Sequence, residues 1–344
     1  MVTQLGPSSA TFESYFAALH AGDRDTAIAL AIGELDRGAS PEGVLLNLLV
    51  PAQSEVGRRW QEGGWSVAQE HQATSCSDGV LTAVTMHVAS RPRPSHGRIV
   101  VACVEEEWHT LPTRIFAELL YLRGWRPSFL GASIPTESLA SFLGNADPEA
   151  LALSCSVAMN LTGAADCIEA AHSLRIPVLV GGRGFGDDAR RACKLGADAW
   201  AMNLDDACDI LETWVSKRPR LAAAQRTNSD DRALMAVRRA VVEAALADLQ
   251  RESATVAALD RGHAKRLGQD LAIHLRFVEA ALATADPGVY LDFISWDTWL
   301  APGVAPVDGL TAAIVAALQT EVPPSHVAAH KLFARASAKL AGVG

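Results

Sequence analysis

Arg98-Ile99-Val100-Val101-Ala102-Cys103-Val104 is an apolar run, and Glu105-Glu106-Glu107-Trp108-His109-Thr110-Leu111-Pro112 follows it directly. The run has the length of a buried strand. Behind the polar octet, Thr113 to Leu120 has helical periodicity. A polar loop that ends a parallel strand and opens a helix is where open α/β sheets bind ligands. His109 in such a loop has two readings. It is a surface-loop histidine, or it ligates a metal while Glu107, two residues earlier, orients its ring.

Outward from this stretch the pattern alternates. Strands are predicted over Arg98–Val104, Pro127–Leu130, Ala150–Ser154, Pro177–Val180 and Ala199–Ala201. Helices are predicted over Thr113–Arg123, Thr136–Leu143, Thr162–Leu174, Asp187–Leu195 and Asp205–Lys217. Five short strands alternating with helices imply a doubly wound five-stranded parallel sheet of Rossmann-like type. Residues before it read as four helices: Ser8–His20, Gly22–Arg37, Ser40–Trp60 and Ser66–Ala89. Residues 230 to 344 read as about five more, forming a C-terminal helical bundle for which a globin-like arrangement is one candidate. The expected division is a helical cap at 1–92, an α/β domain at 93–219, a linker at 220–229 and a helical domain at 230–344. Pro92 to Gly97 and Pro219 to Ser229 have linker composition.

Composition narrows the function classes. The 344 residues are 49% hydrophobic and 20% charged, with a formal charge of −9. Such a chain buries real cores, and an acidic chain without a basic run argues against a nucleic-acid partner. No apolar run reaches membrane-spanning length, and Met1 to Pro7 lacks the basic and apolar regions of a signal peptide. The six cysteines show no CxxC spacing. They read as reduced core residues of a cytoplasmic protein.

Motif spacing then gives the loop a meaning. Ser154-Cys155-Ser156 and Gly181-Gly182 each close a predicted strand, and glycines there allow close backbone approach to a ligand. With Glu107-Trp108-His109-Thr110-Leu111-Pro112, this set resembles the cobalamin-binding module, D-x-H-x-x-G then S-x-L or S-x-T then G-G. The resemblance implies that His109 is the lower axial cobalt ligand, oriented by Glu107. It implies that Ser154, Ser156, Gly181 and Gly182 line a channel for the displaced nucleotide tail. Glu replaces Asp, Pro112 replaces Gly, and Ser156 replaces a bulkier residue. Pro112 still suits the first turn of a helix.

Trp60, Val67, Glu70 and His71 form a second constellation, W-x9-E-H with V-x-x-E-H inside it. From the residues alone it is a core tryptophan beside a surface Glu-His pair, or a lid with polar contacts for a flat ligand. His71, Thr74, Ser75 and Asp78 share a helical face of mostly small side chains. The combination resembles the light-sensing cobalamin photoreceptors of the CarH type. It implies that Trp60 and Glu70 cap the adenosyl group of adenosylcobalamin. It also implies that His71 takes the upper cobalt position after light breaks the cobalt–carbon bond. Those photoreceptors carry a helix-turn-helix domain before the cap, whereas here the cap begins within about ten residues of Met1. With the acidic charge, this predicts no direct DNA binding. The expected output is a homo-oligomer, a dimer for preference, or a regulated enzyme.

Beyond 230, Leu267, Leu271, Leu275, Val278 and Leu282 make an apolar stripe with His274 beside it. Tyr290, Phe293, Trp296 and Trp299 form an aromatic cluster. From the residues alone, this is a dimerisation domain or a ligand pocket with aromatic walls and a cationic rim. His326 and His330 have a metal-compatible spacing but no third ligand. The whole pattern is similar to the photocobilins, which carry cobalamin and a bilin together. It implies a light-sensing regulatory protein, not an enzyme, whose C-terminal domain binds biliverdin. With no cysteine after 208, that binding would be non-covalent. Chemistry suggests His274, Tyr290 and Trp296 for the bilin rings and Arg266 or Arg276 for its propionates. The alternative is a corrinoid protein that carries methyl groups for a methyltransferase system.

Overall fold

The computed structural model describes residues 9–87, 96–223, 230–304 and 309–342. The start of the first expected linker, Pro92 to Ser95, lies outside the described residues, as do residues 224–229 of the second and the side chain of Trp299. Contacts divide the chain into two compact units, Met1–Val101 with His109–Gly131, and Ala102–Trp108 with Ala132–Gly344.

In the first unit the cap helices are α1 (Ser9–Ala21), α2 (Arg24–Asp36), α3 (Pro41–Val44), α4 (Val50–Gln61) and α5 (Val67–His87). Their starts follow local chemistry. Asp23 accepts a hydrogen bond from Thr26 N, and Ser40 accepts one from Gly43 N. Ser66 and Gln69 form a capping box in which each side chain satisfies the other's backbone N–H. The expected third helix is interrupted by a π turn at Leu45–Leu49. It falls where Pro51 removes a backbone donor. Tyr15, Leu19, Leu45, Leu48, Leu49 and Leu81 are fully buried in this bundle.

The same unit holds most of β1 (Arg98–Cys103), α6 (Thr110–Leu122) and β2 (Arg126–Phe129). Arg114 of α6 pairs with Asp78 and donates to Thr82 Oγ1 at 2.8 Å, and Arg123 pairs with Glu42 at 2.6 Å. The cap is thereby tied to the helix that follows the His109 loop.

The second unit continues with α7 (Thr136–Ala146), β3 (Ala150–Ser154), α8 (Leu161–Ser173), β4 (Val178–Gly181), α9 (Arg190–Leu195), β5 (Ala199–Trp200) and α10 (Leu204–Ser216). The five strands run in the order β2-β1-β3-β4-β5, with parallel pairing in β1–β2, β3–β4 and β4–β5. In this order the switch point falls at β1 and β3, so their C-terminal ends are where a ligand is received. Val104 N donates to Ser154 O at 3.1 Å, and Ser154 is the register partner of Gly181.

The C-terminal helices are α11 (Asp230–Glu252), α12 (Ala254–Ala257), α13 (Arg261–Thr284), α14 (Gly288–Val304), α15 (Leu310–Glu321) and α16 (Val327–Leu340). The α13 stripe is real in its essentials: Leu267, Leu271, Leu275 and Val278 are fully buried. Charged contacts fasten these helices to the α/β part of the unit. Arg191 pairs with Asp286 at 2.8 Å, and Arg232 pairs with Asp166 at 3.0 Å. The architecture is therefore the expected one of cap, parallel-sheet domain and C-terminal helices. No helix among the described residues is long and apolar enough to cross a membrane.

Gly182 tests the strand-end geometry. Its φ is 97°, and a Cβ there would lie 2.5 Å from Cys155 O. Gly182→Ala should lower the unfolding free energy by about 1–3 kcal/mol from backbone strain alone. Urea denaturation reads this, and an unchanged midpoint would refute it.

Candidate functional site

The three consecutive glutamates after β1 do three different things. Glu105 Oε2 accepts from Thr136 N at 3.2 Å and from Thr136 Oγ1 at 2.7 Å, which secures the start of α7. Glu106 sits in the left-handed region, with φ 65°. Its amide donates to Ser133 Oγ, and its carboxylate pairs with Arg276 at 2.8 Å. Glu107 turns inward and is 0% exposed. Its Oε2 accepts from Ser156 N at 2.8 Å, Val157 N at 3.0 Å and Asn160 Nδ2 at 3.2 Å. A buried carboxylate is tolerated only with such donors.

Asn160 extends the network. Its Oδ1 accepts from Arg276 Nη2 at 2.5 Å. Arg276, from α13, therefore reaches both Glu106 of the loop and the asparagine that holds Glu107. Sequence reasoning placed Arg276 at a rim for propionates; here it is occupied within the protein. Asn160, Glu105 and Thr136 carry no motif that singles them out, and their roles appear only when the β1 and β3 loops meet.

His109 is the N-cap residue of α6, is exposed, and makes no side-chain cap hydrogen bond. Trp108 is 74% exposed. Pro112 lies in the first helical turn, where its missing N–H costs nothing. Ser154, Ser156 and Gly181 are half-buried and Gly182 is exposed at the strand ends of the second unit. An exposed imidazole at a helix N-cap has the donor chemistry of an axial cobalt ligand, and in that respect His109 fits a corrinoid.

In the cap, Trp60 is half-buried at the end of α4, and the core tryptophan is Trp65, stacked on Phe16 at 5.5 Å. Val67 is 54% exposed. The His71 side chain is 70% exposed and meets Glu70 Oε2 through Nδ1 at 3.2 Å. Glu70 is steadied by Thr74 Oγ1 at 2.8 Å, which itself accepts from Gln53 Nε2 at 3.2 Å.

The remaining predicted residues lie in the C-terminal helices. His274 and Tyr290 come together, fully buried, with Nδ1 and the hydroxyl 3.0 Å apart. Trp296 is 6.2 Å from Phe293, centroid to centroid. Arg266 is exposed. His326 and His330 both reach the carbonyl of Pro323, at 3.3 and 3.2 Å.

Residues 11–85 and residues 97–211 each match a family model described as a B12 binding domain. The chain is 31% identical over 142 residues to the HTH-type transcriptional repressor CarH of Myxococcus xanthus, covering 41% of this chain and 46% of that protein. It is 30% identical over 153 residues to the repressor CarA of the same organism, covering 43% and 50%. The chain thus spans about half the length of the curated relatives it matches. Its fold is similar to the Methanosarcina barkeri monomethylamine corrinoid protein, with a TM-score of 0.53 at 16% identity over 60% of this chain and 100% of that one. The chain carries a cobalamin-binding module of the CarH type.

These relatives correct the partner assignment. The acidic charge and the early start of the cap predict no DNA partner, and a homodimer or regulated enzyme instead. Both relatives are HTH-type transcriptional repressors, and nothing in them supports the dimer or the enzyme. The physical reason is that net charge sums over the whole chain and does not describe what a module is coupled to.

Glu107→Ala should strand the amides of Ser156 and Val157 and lower stability by about 2–4 kcal/mol. Glu107→Gln keeps an acceptor and should lose about half as much. Chemical denaturation of the two variants checks the order; equal losses would show that the carboxylate's hydrogen bonds are not what anchors the loop.

Proposed function

We propose that this chain is a light-responsive regulator, not an enzyme, built on adenosylcobalamin. The observation that carries the reading is His71. It is an exposed imidazole on the cap helix, beside a tethered Glu70, in a segment matching a B12 binding domain. Adenosylcobalamin, when bound, supplies a cobalt–carbon bond that visible light breaks. His109 would hold the cofactor through its imidazole, and Glu107 keeps the loop that carries it in place. Thr74 holds one oxygen of Glu70, so the other remains beside His71. His71, at 70% side-chain exposure, is able to reorient without breaking a core contact. That mobility suits a residue whose partner changes between dark and light, a local event with a wider readout.

Biliverdin is the proposed second chromophore, bound non-covalently by the C-terminal helices. The aromatic pair of Phe293 and Trp296 supports it, with Arg266 exposed on α13. Adding biliverdin to the purified protein should give a red-shifted absorbance band. If the spectrum is only the sum of its parts, the bilin reading is lost and the cobalamin reading stands.

A second reading rests on the fold shared with a corrinoid protein. A methyl-carrying corrinoid protein would transfer methyl groups in the dark and tolerate Trp60→Ala. The light-responsive reading expects the absorption spectrum of the adenosylcobalamin-loaded chain to change under green light. An unchanged spectrum rejects it. His109→Ala should weaken cobalamin binding and shift the dark spectrum toward the base-off form. His71→Ala should leave the dark spectrum as it is and alter the one reached after illumination. Identical illuminated spectra for His71→Ala and the unsubstituted chain would exclude the assigned role.

A further inference from the structure

Asp270 and His274 stand one helical turn apart on α13, and Asp297 faces them from α14. One ligand atom from each lies within 4.8 Å of the other two. All three are inside the protein, at 7%, 0% and 3% exposure. Their surroundings are apolar: Leu271, Leu275 and Ile294 are fully buried, and the Phe277 and Phe293 rings stack at 3.9 Å.

Two carboxylates in such a place are costly unless something positive or hydrogen-bonding compensates them. Asp297 Oδ2 accepts from Thr311 Oγ1 at 2.7 Å and faces His274 Nε2 at 3.2 Å. Asp270 is worse served. Its buried Oδ2 has no hydrogen-bond partner among the described residues. No lysine or arginine among the described residues pairs with either aspartate.

We propose that Asp270, His274 and Asp297 form a site for a first-row divalent metal ion of the zinc class inside the C-terminal helices. The donor set is one imidazole nitrogen and carboxylate oxygens. That mixture favours zinc, manganese or iron over magnesium. Three residues leave a position to be completed by water or by a second carboxylate oxygen. The outer partners are already in place. Tyr290 lies 3.0 Å from His274 Nδ1. With Nδ1–H donating to that phenol oxygen, the Nε2 lone pair would be free for an ion held between the carboxylates. Thr311 likewise orients Asp297. Histidine and carboxylate ligands with such outer partners are the usual construction of protein metal sites. The ion would tie α13, α14 and α15 through one point. The site uses none of the residues assigned to cobalt ligation, so it stands or falls independently of the cobalamin reading.

The test uses the full chain, stripped with EDTA, equilibrated with Zn²⁺ and desalted. Mass-spectrometric elemental analysis then counts zinc separately from cobalt. The unsubstituted chain should retain one zinc that Asp270→Asn does not retain. Thr311→Val, which keeps the side-chain shape and removes the bond to Asp297, should bind that zinc about 10-fold more weakly. It also decides the matter should Asp270→Asn fail to fold by circular dichroism. If the unsubstituted chain retains no zinc, the proposal is overturned. It is equally overturned if Asp270→Asn folds and keeps the same zinc, or if Thr311→Val binds zinc unchanged.

Discussion

The arrangement turns on one buried carboxylate. Glu107 is fully enclosed, so its oxygens must find donors inside the protein, and the 156–160 turn supplies three to Oε2. That requirement joins the loop after β1 to the loop after β3 at the sheet's switch point. The geometry of the His109 loop is a consequence. With Glu107 turned in and Glu106 in a left-handed conformation, Trp108 and His109 are left exposed at the start of α6.

The same constraint reaches further. Asn160 is held on one side by Glu107 and on the other by Arg276 of the C-terminal helices. Arg276 also pairs with Glu106. A shift of α13 would therefore be felt at the loop beside the proposed cobalt ligand, through hydrogen bonds to charged groups, which are the stronger kind. The C-terminal helices are part of the same compact unit as β3, β4 and β5, and Arg191 with Asp286 and Arg232 with Asp166 add to the attachment. Glu279 has a comparable problem to Glu107 with a poorer answer. It is fully enclosed with Arg238 at 3.0 Å, and burial pushes its carboxyl up to about 7.

Much of the fold was legible because its signals are local. Alternating short apolar strands and helices announced the parallel sheet. Asp23, Ser40 and Ser66 marked helix starts by chemistry that acts within three residues. The break in the third cap helix was less visible, because Pro51 reads equally well as a first-turn residue or as an interruption. The candidate site was legible where spacing carries chemistry, as in Glu107-Trp108-His109 and in Trp60, Glu70 and His71. It was not legible for Arg276. A cationic side chain on an amphipathic helix looks the same whether it faces a ligand or a glutamate far along the chain.

The sequence by itself therefore determined the elements, their order and the cobalamin-type motif, since periodicity, capping and motif spacing are short-range properties. Only the tertiary structure decided what the polar residues are for. It separated Glu105, Glu106 and Glu107 into three roles, chose Trp65 over Trp60 as the buried indole, and drew Asp270, His274 and Asp297 into one enclosed cluster. The reason is that a polar side chain acquires its role from the group it meets once water is excluded, and residues distant in sequence meet only when the chain has folded.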